Sequence, residues 1–177
     1  MKATLVVVSL VLSLAAEAAA EPAGALRPLD AAAADVLARG REVSAAFRGL
    51  CEALDRAHVV VHVMSGATDV FAAAGTTRLA GVADGWRYIR IVFDQRLRAD
   101  ERVAVVAHEL QHAREIAEAD IRTQADARRL YERIGRRVRS AWNAFETDAA
   151  ADIGVRVLRE YRAASGDMSV PRFAPRD

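Results

Sequence analysis

The stretch His108-Glu109-Leu110-Gln111-His112 decides how the chain is interpreted. If it is helical, the two histidines lie on one face and one turn apart, because residues i and i+4 are neighbours on a helix surface. Two imidazoles at that spacing can bind a single metal ion. Glu109 lies about 100° round the helix from His108, where its carboxylate can hold a water beside that ion. The five residues therefore predict two metal ligands and a general base.

The residues on either side of this motif favour a helix. Residues 102–107 are helix-compatible, Asp100 suits the N-cap, and Glu101 adds a negative charge to the first turn. No proline or glycine interrupts residues 101–119. The alternative is an ordinary amphipathic helix in which the two histidines are incidental.

The composition of the whole chain limits the classes of protein to which it can belong. With 177 residues, 53% of them hydrophobic, the chain can form one domain with a substantial core. A net charge of +1 gives no global field that would attract nucleic acid, so we expect no nucleic-acid partner. Cys51 is the only cysteine, which excludes an intramolecular disulfide and suits a small buried hydrophobe. The arginines of residues 128–139 are spread round a helix and a loop, and acidic residues such as Asp126 and Glu132 interrupt them, which favours a solvated face over a basic patch.

The N-terminal 20 residues have the pattern of a signal peptide. Lys2 provides a short positive region, residues 3–16 form an apolar stretch too short to span a bilayer comfortably, and Ala18 and Ala20 suit cleavage before Glu21. A retained membrane anchor is the alternative. We therefore expect a secreted or periplasmic protein with no membrane contact after cleavage. Residues 21–28 are expected to be a linker, residues 29–164 one domain, and residues 165–177 a loose tail.

The hydrophobic pattern predicts an α+β fold, a small antiparallel sheet of about three strands packed with helices. The predicted helices cover residues 30–57, 101–119, 123–134 and 141–163, and the predicted strands cover residues 59–64, 78–82 and 86–93. Asp84 and Gly85 form a turn signal between the last two strands.

A catalytic zinc ion usually has three protein ligands, so a third ligand is needed. His58 and His62 are poor candidates, because in a strand they lie about 13 Å apart. Glu118 is a weaker candidate, because no glycine breaks the helix after His112 and a continuing helix carries Glu118 away from the metal.

Glu146 is the preferred third ligand. On a helix over residues 141–163 it shares an apolar stripe with Trp142 and Val157, where an unpaired carboxylate would be costly. A metal ion removes that cost; pairing with an arginine at the edge of the stripe is the alternative. Asp148 and Asp152 fall near the opposite side of this helix. They remain weaker candidates for a ligand or for orienting one, and a solvated-face role is favoured.

An HExxH helix followed by a glutamate on a later helix resembles the gluzincin clan of zinc peptidases, and the short chain is similar to its smallest members, the minigluzincins, and to small secreted bacterial proteins. The matching residues are His108, Glu109, His112 and Glu146. The resemblance implies a Zn²⁺ ion bound by the two histidines and Glu146, with Glu109 as the base. Arg114, where such peptidases usually have an apolar residue, departs from the pattern and leaves the substrate class open.

The function implied by this resemblance is that of a secreted zinc endopeptidase, which hydrolyses peptide bonds of a peptide or protein substrate through a zinc-activated water. The residues of the strand over 86–93 could pair with an extended substrate, again by resemblance. Candidate donors to the oxyanion are Tyr88, Tyr131, Arg139 and Tyr161. A catalytically silent zinc-binding or partner-binding module is the main alternative, favoured by the small size, whereas the intact Glu109 favours the enzyme. An envelope structural protein with an accidental motif is the third interpretation, and the oligomeric state is open.

Overall fold

The computed structural model describes residues 24–67, 74–137 and 145–166. Over these residues the chain is α+β, which confirms the predicted class. The elements are β1 (Leu26–Pro28), α1 (Ala31–Val43), α2 (Ala45–Asp55), β2 (Val59–Gly66), β3 (Gly75–Ala83), β4 (Trp86–Asp94), α3 (Ala99–Glu118), α4 (Gln124–Ile134), β5 (Arg136–Arg137), β6 (Phe145–Glu146) and α5 (Asp148–Ser165). The predicted signal peptide and nearly all of the predicted tail lie outside the described residues. Within them, no helix is long and apolar enough to cross a bilayer.

The main sheet is mixed and has four strands in the order β1-β2-β4-β3. The prediction of an antiparallel sheet is correct only for β3 and β4, whose hairpin turns at Asp84 and Gly85 with positive φ angles of 50° and 80°. β2 runs parallel to β4, and β1 runs parallel to β2. β3 therefore lies on the far side of β4 from β2, a long-range arrangement that local patterns do not encode.

The expected linker over residues 21–28 is wrong at its C-terminal end. Leu26 pairs with Val61 and Pro28 pairs with Val63, so these residues form the edge strand β1. Leu26 is buried in the core. Pro28 is compatible with this position because an edge strand tolerates a residue that cannot donate a hydrogen bond.

The single helix predicted over residues 30–57 is divided at Ser44. Its hydroxyl accepts a hydrogen bond from the Phe47 amide over 3.0 Å and donates to Glu160 over 2.6 Å, which caps α2. Gly40 allows α1 and α2 to fold against each other, because a Cβ there would lie 2.7 Å from the Phe47 ring. Ser44 and Gly40 together thus turn a continuous apolar pattern into two packed helices.

The core lies between the sheet and the helices, with α3 at its centre. Alternate residues of β2 and β4 are fully buried against the helices, namely Val59, Val61, Val63, Ile89, Ile91 and Phe93. Helices α1, α2 and α5 contact α3. A buried ion pair between Arg162 of α5 and Asp100 of α3, with a distance of 2.8 Å, fixes the start of α3. Asp100 was predicted to be the N-cap, but that position belongs to Arg98.

Candidate metal centre

The two histidines of the motif lie one turn apart on α3, as the helical spacing predicts. Their rings approach edge to face, with centroids 4.9 Å apart. His112 is buried, whereas His108 is partly exposed. The pair therefore forms one wall of a site that is open to solvent on the side of His108.

Glu146 lies beside both histidines, but not on the element that its pattern predicted. It belongs to β6, and α5 begins two residues later with Thr147 as its N-cap. The helical-stripe argument for Glu146 is therefore wrong, and Trp142 lies outside the described residues. The pairing of Glu146 with Arg136 in the two-stranded sheet, rather than a helix face, positions the carboxylate.

The three side chains form a compact ligand set. Glu146 Oε2 lies 3.5 Å from His108 Nε2, and Glu146 Oε1 lies 3.9 Å from His112 Nε2. One ligand atom from each residue lies within 4.8 Å of the other two. Ligand atoms of a tetrahedral zinc ion are about 3.3 Å apart, given bond lengths of about 2.0–2.1 Å. The carboxylate-to-imidazole distances of 3.5 and 3.9 Å are close to this value, and a set within 4.8 Å has to close by no more than about 1.5 Å to bind one ion.

The other candidate ligands lie elsewhere. His58 contacts the Trp86 ring and His62 stacks on Tyr88, and neither joins the ligand set found in the described part of the chain. Glu118 is exposed and pairs with Arg114 over 2.6 Å. The side chain of Asp148 is 94% exposed, and Asp152 is also exposed, so both belong to a solvated face.

Glu115, which the sequence interpretation passed over, orients His112. Its Oε2 lies 2.9 Å from His112 Nδ1, and its Oε1 accepts a hydrogen bond from the Thr147 hydroxyl over 2.8 Å. The amide of Thr147 in turn donates to Glu146 Oε1 over 2.9 Å. One chain of hydrogen bonds thus connects two of the ligands. The i+3 spacing from His112 was the available signal, because it places Glu115 on the same helix face.

His108 is held by α5. A Cβ at Gly154 of α5 would lie 3.5 Å from His108 Cβ and 3.8 Å from its Nδ1, so the helix packs directly against this side chain. A carboxylate partner on the second ring nitrogen, as Glu115 provides for His112, is typical of metal-binding histidines because it fixes both the tautomer and the orientation of the ring. Both imidazoles direct Nε2 towards Glu146.

The electrostatics of the cluster suit a cation. Burial lowers the pKa of His108, which favours the neutral ligand form. Burial raises the pKa of Glu146, although the nearby His112 opposes this effect. For His112, burial acts to lower the pKa, but the hydrogen bond to Glu115 and the surrounding carboxylates raise it overall. The buried Glu115 has a lowered pKa, because its hydrogen bonds outweigh burial. Negative charge thus accumulates around two imidazoles.

Glu109 lies between the histidines and β3. It is 5% exposed, and its Oε2 accepts a hydrogen bond from the Thr77 hydroxyl over 2.7 Å. Gly75 makes the approach of β3 possible, because a Cβ there would lie 2.8 Å from both Cγ and Oε1 of Glu109. Glycine at position 75 therefore allows β3 to pack directly against the Glu109 carboxylate.

The strand over residues 86–94 is not an edge strand, contrary to the prediction. β4 pairs with β2 on one side and β3 on the other, so it cannot accept an extended peptide. β3 forms the edge of the described sheet and contacts α3. The strand edge nearest to Glu109 is therefore β3.

Among the predicted oxyanion donors that the structure describes, Tyr131 is the one near the histidines. Its ring lies 5.4 Å from that of His112, and its hydroxyl donates to the His112 carbonyl over 3.1 Å. Burial, followed by the charges of Glu115 and Glu109, raises the Tyr131 pKa, so the hydroxyl stays protonated. Tyr88 lies on the sheet beside His62, Tyr161 lies beneath the Arg39 guanidinium, and Arg139 is outside the described residues.

Comparisons with known proteins do not assign the chain to a family. It matches no protein-family profile, no curated protein and no solved structure. The arrangement of side chains is therefore the basis for any functional assignment.

Proposed function

We propose that the chain is a secreted or periplasmic zinc metallopeptidase of the gluzincin type, with a zincin-like domain that begins with β1 and ends with α5. The convergence of His108, His112 and Glu146, with ligand atoms within 4.8 Å of one another, carries the proposal. Two imidazoles and one carboxylate are a common donor set of catalytic zinc, and three protein ligands leave a position for water. Hard cations such as Mg²⁺ and Ca²⁺ prefer oxygen ligands, which this set does not supply in sufficient number.

Zinc, when bound, supplies a Lewis acid that polarises the substrate carbonyl and lowers the pKa of water to near neutrality. Glu109 accepts a proton from the attacking water as its oxygen bonds to the carbonyl carbon. As the carbon–nitrogen bond breaks, Glu109 returns that proton to the leaving amine. The Thr77 hydroxyl holds Oε2 of Glu109, and β3 packs beside Oε1 at Gly75, which orients the carboxylate for this exchange.

The remaining residues of the site position these groups. Glu115 holds His112 through Nδ1, and Thr147 connects Glu115 to Glu146. Tyr131 is the preferred oxyanion donor among the described residues, although its hydroxyl has to leave the His112 carbonyl to act. We assign substrate pairing to the edge of β3 rather than to β4, because β3 lies next to Glu109 and has one unpaired side in the described sheet.

A catalytically silent zinc-binding module is the alternative, and one observation favours it. Glu109 is almost fully buried and already bonded to Thr77, so access of a substrate to its carboxylate requires β3 to shift or the substrate to approach from the His108 side. Both functions use the same three ligands. They differ only in whether Glu109 transfers protons.

The Glu109→Gln substitution separates the two functions. We expect the wild type to bind one zinc ion per chain and to cleave casein or a peptide library. Glu109→Gln should retain zinc and lose activity by about 10²–10⁴-fold, the range for loss of a general base. Glu118→Gln is the matched control, because Glu118 is an exposed glutamate on the same helix; its activity should equal that of the wild type.

Two results would contradict the peptidase proposal in different ways. Bound zinc without cleavage of any substrate, in the wild type as in the variant, would support the silent module. Cleavage that Glu109→Gln leaves unchanged would exclude the general-base role of Glu109.

A further inference from the structure

The sheet has a second face, opposite the helices and the metal centre. The residues of β2 and β4 that alternate with the buried ones point to this side. They include Met64, Tyr88 and Val92, which are half-buried, and Trp86, which is 36% exposed. The described helices pack on the other side, around α3. We call this second side the open face.

Three arginines and one histidine form one row across the open face. Arg27 of β1 pairs with His62 of β2, His62 pairs with Arg90 of β4, and Arg90 pairs with Arg78 of β3. The register thus aligns a basic residue on every strand, and we call this set the cationic row. With strands about 4.8 Å apart, the row is about 14 Å long.

The exposed part of the cationic row, Arg78 and Arg90, is not neutralised by the sheet that carries it. Asp94 is the one acidic residue in the four strands, and it pairs with Arg96 at the end of β4. Arg78 and Arg90 are exposed and have no ion pair with any residue that the structure describes. Like charges directly opposite each other on neighbouring strands are destabilising. The alignment of like charges therefore reduces the stability of the isolated protein, and an anionic partner would remove this repulsion.

The surroundings of the row favour a protein partner. Apolar or aromatic cross-strand pairs flank it on both sides, Val60 with Tyr88 and Met64 with Val92. Arginine, tyrosine, tryptophan and methionine are enriched at protein interfaces. A net charge of +1 gives little of the general attraction that binding to a nucleic-acid backbone requires.

The spacing of the row favours one partner conformation. On a helix, residues at i, i+3 and i+4 have Cβ atoms about 5–6 Å apart, which is close to the strand spacing of the row. Same-face residues of an extended strand are about 6.6 Å apart and would lose register with the row. We propose that the open face binds an α-helix of a partner protein whose acidic stripe lies along the cationic row and whose apolar shoulders contact Tyr88 and Met64.

A pair of helical peptides tests this proposal on the full-length protein. The first is an alanine-rich peptide of about 20 residues with glutamates at i, i+4, i+7 and i+11, and the second has the same composition with glutamates distributed round the helix. Fluorescence anisotropy of labelled peptide gives the affinity at low and at physiological salt. We expect the aligned peptide to bind more tightly, and its binding to weaken with salt.

Variants then locate the binding. Arg78→Gln/Arg90→Gln should weaken binding of the aligned peptide by about fivefold to tenfold, as expected for loss of two exposed ion pairs. Arg133→Gln/Arg159→Gln removes the same charge from exposed helix positions, namely those of α4 and α5, and should change affinity by less than about twofold. Circular dichroism checks that each variant is folded.

Four results would overturn the proposal. They are no binding of the aligned peptide at low salt, equal binding of the two peptides, equal effects of the two double variants, and tighter binding of a single-stranded oligonucleotide of the same charge. The last would assign the open face to nucleic acid. None of these results depends on zinc or on peptide cleavage, since the open face lies opposite the metal centre.

Discussion

Helix α3 and the segment that ends in Glu146 contribute to the same ligand set, but they are positioned by different means. The geometry of one helix fixes His108 and His112 relative to each other. The position of Glu146 depends on the β5–β6 pair, on Thr147 at the start of α5 and on the packing of α5 against α3. One half of the site, His108 and His112, is therefore positioned by local helix geometry. The other half, Glu146, is positioned by tertiary structure.

Removal of a ligand from either half should give the largest loss of zinc affinity. We expect His112→Ala and Glu146→Gln each to lower zinc affinity by more than about 100-fold, beyond the 10–100-fold typical of residues that only support a ligand. Competition with a chromogenic chelator measures the affinity. A variant of either kind that keeps wild-type affinity would remove that residue from the ligand set.

The same two variants should differ in the stability of the metal-free protein. His112→Ala leaves the buried Glu115 carboxylate without its histidine, at a cost of about 1–3 kcal/mol. Glu146→Gln removes a carboxyl group whose pKa is raised by burial, so its ionisation costs free energy on folding and its replacement by a neutral amide should not destabilise the fold. Urea unfolding with chelator present compares them. Equal destabilisation would contradict the distinction between the two halves.

The connection between the halves should have the next largest effect. The two carboxylate oxygens of Glu115 accept one hydrogen bond each, from His112 and from Thr147. Glu115→Gln keeps a single acceptor oxygen, so one of these two hydrogen bonds is lost. We expect zinc affinity to fall by about 10–100-fold. Glu118→Gln, one turn further along α3 and exposed, should leave zinc affinity unchanged. An equal response of the two variants would show that Glu115 does not orient His112.

The approach of β3 to Glu109 predicts a smaller effect, on stability. A Cβ at Gly75 would lie 2.7 Å from Val105 and 2.8 Å from Glu109, so Gly75→Ala should destabilise the protein by about 1–3 kcal/mol. Gly81→Ala, on the same strand, meets no atom within 4 Å and is the matched control. Thermal unfolding measures both. If Gly75→Ala is no less stable than Gly81→Ala, β3 does not pack against Glu109 as described.

The contact between α3 and α5 predicts the smallest effect, which is an increase in stability. A Cβ at Gly154 would lie 3.5 Å from His108 Cβ and from the Ala104 carbonyl, which is ordinary contact. Gly154→Ala should therefore stabilise α5 by about 1 kcal/mol through helix propensity, with zinc affinity unchanged. A loss of stability would mean that α5 packs on α3 more closely than the structure shows.

The sequence predicted those features that depend on local periodicity. Examples are the helix that carries His108 and His112, the buried alternation of β4 and the turn at Asp84 and Gly85. It missed those that depend on distant partners. The parallel pairing of β1 and β2 requires two segments far apart in the chain, and the break at Ser44 is stabilised by Glu160 from the last helix.

Glu146 shows that a correct residue can be chosen for a wrong structural reason. The helix-wheel argument identified the acidic residue of an apolar stretch, but the chain there is a short strand followed by a capped helix start. Thr147 in the stretch Glu146-Thr147-Asp148 was the available signal, because threonine favours the N-cap and argues that the helix begins after Glu146. Glu115 was missed because a helical glutamate usually lies on the solvated face.

An anomalous difference map from crystals grown with zinc tests the central claim most directly. We expect one strong peak per chain, bonded at about 2.0–2.2 Å to Nε2 of His108, Nε2 of His112 and a carboxylate oxygen of Glu146. Zinc bound to the two histidines while Glu146 stays out of reach, or zinc found only at other sites, would contradict it.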